Sequence, residues 1–421
     1  MATTTAIADI PAEKATSFKV VTLCFLGSLM EGIDIQSMGV AAPKVGPEFM
    51  LAPDQIGFVL TASIFGLMLG AAGGGWLSDR IGRRLVLIAS IAALGVFSLA
   101  TTFTSDFTSL LVVRVLCGVG MGGAFPNLIA MTAESSSQKF RSTAISMMYC
   151  GMPFGGALVS LIAANLAPDV WRPIFYVGGI GPLILVPIMF LFLPESTQFK
   201  AKEAQHEALE AAHSPAAARP GLGKVLFGEG RAITSIELWI AFFFTLVVVY
   251  ILLNWLPILI GSKGFSKPQG SMASLLMNLG AAAGSLTLGM LMDRGKTRPA
   301  LLMVYIGLVF ALAALAYMTE FNLVLAAAFF AGFFALGGQL CLYALAPQCY
   351  PTLIRGAGVG SAVAVGRLGS MTGPIVTGSL LKAGLGAPAV IGATIPGLVI
   401  SCIAGILLTT RLAKQPKSAQ D

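Results

Sequence analysis

Runs of about twenty apolar residues recur along the whole chain, and they limit what it can fold into. A helix of that length spans the hydrocarbon core of a bilayer, because each residue adds about 1.5 Å to the helix. Of the 421 residues, 56% are hydrophobic and 11% are charged. Soluble domains carry about 25% charged residues. The sequence therefore predicts an all-α integral membrane protein.

Glycine, proline and charged residues divide the apolar sequence into twelve predicted transmembrane helices, in two sets of six. The first set is 18–42, 55–78, 85–105, 107–132, 142–166 and 172–194. The second set is 233–261, 268–292, 299–319, 321–346, 355–381 and 387–410. The predicted parts are an N-terminal tail (1–17), a six-helix bundle (18–194), a linker (195–232), a second six-helix bundle (233–410) and a C-terminal tail (411–421).

Basic residues are distributed unequally between the two sides of the predicted bundles. Of the 26 Lys and Arg residues, nineteen lie in the tails, the linker and the connections on the same side, and five lie on the other side. Because cytoplasmic connections are enriched in Lys and Arg, both termini and the linker are predicted to be cytoplasmic. The net charge of +7 thus arises from basic residues placed at a membrane surface, and we expect no nucleic-acid partner. The six cysteines have no metal-ligand spacing, and we expect them to be packing residues with no metal bound.

Two carboxylates, Glu31 and Asp34, interrupt the first apolar run. A charge at the centre of a membrane helix costs roughly 2.5–3.5 kcal/mol on insertion scales, so it is expected to face a partner or a water-filled cavity. Their i, i+3 spacing places both on one helix face, where each raises the proton affinity of the other. Two arginines, Arg114 and Arg367, remain inside predicted helices of opposite halves. We expect Arg114 to meet Glu31, Asp34 or Glu134.

An internal repeat relates the two sets of helices. The stretch 75–80 recurs in related form as 289–294. The corresponding residues, all 214 positions apart, are Gly75 and Gly289, Asp79 and Asp293, Arg80 and Arg294, and Arg141 and Arg355. Two six-helix halves in one frame are typical of transporters built from parallel repeats.

The loop from Gly75 to Arg84 resembles the signature between helices 2 and 3 of the major facilitator superfamily, and 114–120 is similar to that superfamily's fourth-helix motif. The first motif predicts that Gly75 lets two helices approach closely and that the charges hold one conformational state closed. The residues to which we assign gating are Gly75, Asp79, Arg80, Arg83, Arg84, Glu134, Arg141, Asp293, Arg294 and Arg355. Alternatively, the loop arginines only fix the topology.

Glu31-Gly32-Ile33-Asp34 looks like the Asp-Gly-x-Asp motif of aromatic acid:proton symporters within the superfamily, with glutamate in the first position. Arg355 and Arg367 match that family's cytoplasmic and helix-11 arginines, and six longer segments are similar to its carriers of 3-hydroxyphenylpropionate and other phenylpropanoid acids. The resemblance implies a bacterial inner-membrane symporter that imports an aromatic carboxylate for ring-cleavage catabolism. We expect a monomer in the lipid bilayer that uses protons as its coupling ion and needs no cofactor.

The formal charges of Glu31, Asp34, Arg114 and Arg367 sum to zero. An arriving carboxylate adds a negative charge in low dielectric, and uptake of one proton compensates for it at the lowest cost. Anion binding and protonation then favour each other, which is proton symport. We assign Arg367 to the substrate carboxylate, because its guanidinium suits bidentate binding, and Asp34 to the proton, with Glu31 and Arg114 as its neighbours.

The aromatic part of such a substrate needs apolar contacts and a few polar ones. The candidates for stacking are Tyr149, Tyr250, Trp255 and Tyr343. The candidates for bonding a ring hydroxyl are Asn127, Asn254 and Gln339. The competing interpretation for each aromatic residue is packing between helices or a place in the interfacial belt.

Other functions remain open at this point. The cargo could instead be a sugar or a benzoate-type acid, or a drug expelled in exchange for protons, and a membrane sensor without transport is a further alternative. An enzyme is not expected, because the predicted helices carry no nucleophile–base pair and no cluster of metal ligands.

Overall fold

The structure is a computed structural model that describes residues 14–137, 141–167, 169–196, 199, 226–228, 231–350 and 355–414. The side chains of Asp79 and Asp293 are outside this description, as are most of the predicted tails and of the linker 195–232.

The described residues are almost entirely helical, which confirms the predicted fold class. The first bundle contains α1 (Lys14–Glu48), α2 (Pro53–Ile81), α3 (Arg83–Thr101), α4 (Phe107–Ser135), α5 (Arg141–Asn165) and α6 (Arg172–Phe192). The second contains α7 (Ala232–Gly261), α8 (Lys267–Asp293), α9 (Thr297–Tyr317), α10 (Phe321–Leu345), α11 (Arg355–Lys382), α12 (Ala387–Gly392) and α13 (Ile395–Lys414). The twelfth predicted helix is therefore broken into α12 and α13.

The first helix is longer than its sequence pattern predicts. We expected it to end at residue 42, before Pro43, but α1 continues through Pro43 to Glu48. Proline is tolerated inside membrane helices where neighbouring helices and polar side chains satisfy the freed backbone groups. The extension carries Lys44 to the C-terminal end of α5, where its ammonium donates to the carbonyl oxygens of Ala163 and Val170.

Ten described segments are long and apolar enough to cross a membrane. Two long helices, α1 and α11, are not among them, and these carry the buried charges Glu31, Asp34 and Arg367. α1 packs against α4, α5, α6 and α7, and α11 packs against α2 and α7. The buried charges of α1 and α11 thus lie where neighbouring helices cover them.

Close packing fixes the rotation of α1 in the first bundle. A Cβ atom at Gly32 would lie 2.0 Å from the Met152 carbonyl oxygen of α5, and one at Gly155 would lie 2.1 Å from the Leu29 oxygen of α1. Small residues of this kind let membrane helices approach backbone to backbone. The face of α1 that touches α5 is therefore set, and so are the directions of Glu31 and Asp34.

The two bundles contact each other at the end that carries the α1–α2 and α7–α8 connections, which the basic residues predict to be external. Lys267 of α8 pairs with Asp169 at 3.0 Å, and Lys382 of α11 pairs with Asp54 of α2 at 2.7 Å. At the same end a Cβ atom at Gly57 would lie 2.8 Å from the Pro374 oxygen. These contacts hold this end of the molecule closed.

A buried pair of amides also joins the bundles. Gln36 of α1 donates to Asn278 of α8 at 2.7 Å, and Asn278 donates back to Gln36 at 2.6 Å. Both side chains are buried. Gly156 of α5 leaves the room for this pair, because a Cβ atom there would lie 1.9 Å from the Gln36 Nε2 atom.

We expect Asn278→Leu to lower the unfolding temperature in detergent, because it leaves the buried Gln36 amide unpaired at a cost of about 1–3 kcal/mol. The double variant Gln36→Leu/Asn278→Leu should lose less than the sum of the single variants, since neither amide is then left without a partner. Asn165→Leu is the control, as its exposed side chain donates to the Leu161 carbonyl oxygen of its own helix. Additive losses in the double variant would show that the two amides are not coupled.

Candidate functional site

Two buried charges of the first bundle, Asp34 and Arg114, form a closed ion pair between α1 and α4. Arg114 Nη1 donates to Asp34 Oδ1 at 3.0 Å, and Nη2 donates to Oδ2 at 2.9 Å. Nη2 also lies 3.3 Å from the backbone oxygen of Asp34. Both side chains are fully buried. Of the three partners that the sequence left open for Arg114, the structure selects Asp34.

Two further side chains enclose this ion pair. Cys117, one turn after Arg114 on α4, has its Sγ atom 3.3 Å from Asp34 Oδ1. The ring of Phe175 from α6 lies 5.6 Å from the Arg114 guanidinium carbon. Asp34 is therefore surrounded by hydrogen-bond donors and apolar groups of its own bundle.

Glu31 is in a different situation, although it lies only one turn before Asp34. It is 2% exposed, and among the described residues its Oε1 atom has no hydrogen-bond partner. The charged group that acts on it is Arg367 of α11, which belongs to the other bundle. The two carboxylates thus have different surroundings: Asp34 lies inside the first bundle, and Glu31 lies at the boundary between the bundles.

Arg367 lies in a group of tyrosines from both bundles. Its Nη1 atom donates to the hydroxyl oxygen of Tyr250 of α7 at 2.6 Å. Tyr149 from α5 and Tyr343 from α10 lie near the guanidinium. The tyrosine rings rest edge-on against phenylalanines, Tyr149 against Phe125 and Tyr343 against Phe242. This group combines a cation, hydroxyl groups and aromatic faces, which suits an aromatic anion.

The other residues predicted to contact the substrate have no bond to Arg367 in the described structure. The amide nitrogens of Asn127 and Asn254 each donate to a carbonyl oxygen one turn earlier in their own helices, at 2.9 and 3.0 Å. Gln339 is buried on α10. Trp255 is fully buried in an apolar cluster with Ile33 and Leu259, as the packing interpretation expected. The structure thus brings together Arg367 and three tyrosines, but it does not place Trp255 among them.

The predicted gating residues form a network on the linker side of the first bundle. Arg83 pairs with Glu134, and Glu134 also accepts from the Ser196 hydroxyl. The backbone nitrogen of Arg84 donates to Glu195 Oε1 at 3.0 Å. Other contacts include Arg80 over the Trp76 ring at 3.9 Å, Arg84 over the Phe190 ring at 5.4 Å and Arg141 with the Ala133 oxygen at 3.1 Å. In the second bundle, Arg355 donates to the Tyr350 oxygen at 3.5 Å. Arg294 is exposed after α8.

The close approach expected at Gly75 is not made in this structure, because no described atom of a neighbouring helix lies within 4 Å of a Cβ atom at that position. The contact is made one residue earlier, where a Cβ atom at Gly74 would lie 2.6 Å from the Gly123 Cα atom. One residue turns a helix by about 100°, so Gly75 points away from α4. The predicted roles of Asp79 and Asp293 concern side chains outside the described part of the chain.

Sequence reasoning missed three residues that the structure brings to notice. Cys117 was read as a packing residue, although it follows Arg114 by three positions and so shares its helix face. Gln36 and Asn278 are single amides within apolar runs, and such polar side chains in a membrane helix signal a buried partner. Which partner each amide meets depends on the packing of distant helices.

Comparison with known proteins agrees with this architecture. The family model of the Major Facilitator Superfamily matches residues 24–321 and 279–421. The chain is 44% identical over 392 residues to the 3-(3-hydroxy-phenyl)propionate transporter of Escherichia coli (strain K12), which covers 93% of this chain and 94% of that protein. It is 31% identical to the gallate transporter of Pseudomonas putida, covering 89% and 88% of the two chains.

The crystal structure of a D-xylose-proton symporter shares the fold, with a TM-score of 0.73 at 20% identity over 96% of this chain and 99% of the other. These relatives are transporters, which agrees with the expectation that the chain is not an enzyme. The chain belongs to the Major Facilitator Superfamily.

Proposed function

We propose that the protein imports an aromatic carboxylate of the hydroxyphenylpropionate type by proton symport, through alternating access of the two bundles. It would act as a monomer in a bacterial inner membrane, with both termini in the cytoplasm and without a cofactor. The names of the relatives at 44% and 31% identity support an aromatic acid as cargo. The observation that carries the proposal is that Asp34 and Arg114 form a closed ion pair within the first bundle, whereas Glu31 and Arg367 are buried in opposite bundles and interact only electrostatically in the described structure.

The substrate carboxylate would bind Arg367. In the structure one guanidinium nitrogen donates to the Tyr250 hydroxyl oxygen. A hydrogen bond to this neutral acceptor is weaker than one to a carboxylate. A carboxylate can accept from the guanidinium and from the tyrosine hydroxyl groups together. The aromatic ring would then lie among Tyr149, Tyr250 and Tyr343, which come from both bundles and so contact the substrate from two sides.

The proton would bind Asp34. Both carboxylate oxygens can accept from the guanidinium only when the carboxyl group is ionised, so the bidentate bond to Arg114 would belong to the proton-free state of the proposed cycle. Protonation removes the negative charge and one acceptor, so that Arg114 loses the interaction that holds α4 to α1. Loading and release of the proton thus change the packing of the first bundle.

Glu31 would transmit charge between the two sites. It lies one turn from Asp34 and is acted on by Arg367. When an anion takes over the guanidinium, the negative charge near Glu31 and Asp34 increases, and a proton restores electroneutrality in the low-dielectric interior. Because Glu31 and Arg367 belong to different bundles, rocking of the bundles changes this interaction.

A competition assay tests the substrate class. Uptake of labelled 3-phenylpropionate would be measured with unlabelled 3-hydroxyphenylpropionate, cinnamate, benzoate or a hexose, with and without a protonophore. We expect the two C3-chain acids to compete best, the hexose not at all, and the protonophore to stop accumulation. Stronger competition by benzoate would favour the benzoate-type alternative, which the gallate relative supports. Ligand binding without flux in liposomes would instead indicate a sensor.

A further inference from the structure

A buried cysteine contacts the carboxylate to which we assign the proton. Cys117 follows Arg114 by three residues on α4, so that the thiol and the guanidinium lie on the same helix face. Its Sγ atom lies 3.3 Å from Asp34 Oδ1, within hydrogen-bond range for sulfur, and 3.7 Å from the Leu94 backbone oxygen. The side chain is fully buried. Asp34 Oδ1 therefore has two neighbouring donors, Arg114 Nη1 and the Cys117 thiol.

We propose that Cys117 is a positioning residue for proton exchange, whose thiol donates to Asp34 and stabilises its ionised form. This inference rests on the proposed function, in which Asp34 carries the proton. A hydrogen bond to a carboxylate favours the ionised state, and the effect is larger in a dry interior than in water. A thiol is a weak donor, so it adjusts the proton affinity of Asp34 without preventing protonation.

The surroundings of Asp34 make this contact significant. From α4 come Arg114 and Cys117, while α3 and α6 contribute the Leu94 carbonyl and the Phe175 ring. Glu31 lies one turn earlier on α1. The tyrosines of α5, α7 and α10 act on Arg367 and not through a bond to Asp34 in the described structure. The thiol is thus the neutral donor on the carboxylate, and it can be removed without changing the charge of the site.

Cys117, like Cys24 and Cys341, is also part of the buried apolar core. A packing role and a donor role predict different results. Loss of packing lowers the amount of folded protein or its maximal rate. Loss of the donor moves the pH at which the carrier takes up and releases its proton.

The test uses the purified full-length protein in proteoliposomes. Initial rates of 3-phenylpropionate uptake would be measured against external pH for the wild type, Cys117→Ala and Cys117→Ser. Without the thiol the ionised carboxylate is less stable, so Asp34 keeps its proton to higher pH. The midpoint at which uptake declines should then rise by about 0.5–1 pH unit in Cys117→Ala, as expected for a weak hydrogen bond to a charged group. Serine restores a donor, so its midpoint should return to that of the wild type or fall below it.

Cys341→Ala is the matched control, because it removes a buried cysteine from α10 of the other bundle. Its midpoint should equal that of the wild type. Size-exclusion profiles identify variants that fail to fold. If Cys117→Ala fails, Cys117→Val removes the donor without leaving a cavity, and its midpoint should rise in the same way. An unchanged midpoint in folded Cys117→Ala, or equal shifts in the alanine and serine variants, would overturn the inference. If wild-type uptake itself ignores pH and protonophore, the proposed symport fails, which is a separate result.

Discussion

Asp34→Asn is expected to abolish accumulation of the aromatic acid against its gradient, while exchange of labelled for unlabelled substrate across the membrane continues. Asparagine has nearly the shape of aspartate but cannot take up or release a proton at its side chain. The variant would therefore resemble the proton-loaded carrier at all times, able to change its conformation with substrate bound but without coupling to the proton gradient. Arg114 would lose its bidentate ion pair, so some loss of stability should accompany the change.

The measurement compares accumulation in energised vesicles with counterflow in vesicles that have no gradient. Asp106→Asn is a matched control, because Asp106 lies before α4 outside the membrane. The backbone N–H of Ser109 holds the pKa of Asp106 below its usual value, so this exposed carboxylate stays ionised in the assay range. Asparagine is also a favoured residue at the N-cap of a helix, so α4 should still form and transport should persist. Wild-type accumulation by Asp34→Asn would remove Asp34 from the proton pathway.

Arg367→Ala is expected to weaken substrate binding more than any other single change in the second bundle. A charge-assisted hydrogen bond is worth about 1.5–3 kcal/mol, which corresponds to about a 10–150-fold loss of affinity. Arg367→Lys keeps the charge but not the two parallel N–H groups, so it should fall between alanine and the wild type. The dissociation constant for 3-phenylpropionate would be measured by equilibrium binding in detergent.

Two comparisons make this result specific. Arg298→Ala removes an exposed arginine from the first turn of α9 and should leave affinity unchanged. A neutral analogue such as 3-phenylpropanol should bind equally weakly to the wild type and to Arg367→Ala, because it offers no carboxylate. Unchanged affinity of Arg367→Ala for the acid would place the carboxylate site elsewhere.

Much of the fold can be predicted from the local hydropathy pattern of the sequence. Apolar runs and their breaks are sufficient to predict the twelve helices, since each must span the same thickness of hydrocarbon. The errors occur where tertiary contacts override local signals. Pro43 lies inside α1 and not after it, and a break near Thr394 divides the last helix. Neither feature is a consequence of hydropathy.

In the candidate site, too, the sequence identifies the residues, whereas tertiary packing decides their contacts. The sequence names four buried charges, because each is costly in lipid, but it cannot assign their partners. Glu31 and Asp34 share a helix face by spacing, yet only Asp34 forms an ion pair in the described structure, with Arg114, while Glu31 is influenced by Arg367 of the other bundle. The rotation of α1, which is set by its contact with α5 through Gly32, decides this difference. The bond between Gln36 and Asn278 joins residues 242 positions apart and depends on that same rotation. The packing of Trp255 also depends on which neighbours surround its helix.

The central claim, that an aromatic carboxylate and a proton cross together, is tested most directly by recording both in one experiment. Proteoliposomes without a preset gradient would be given 3-phenylpropionate while the external pH and internal label are followed. The account predicts that the external solution becomes more alkaline as the acid enters, and that Asp34→Asn shows no such change. Entry of the acid with a constant external pH, or with acidification, would contradict it.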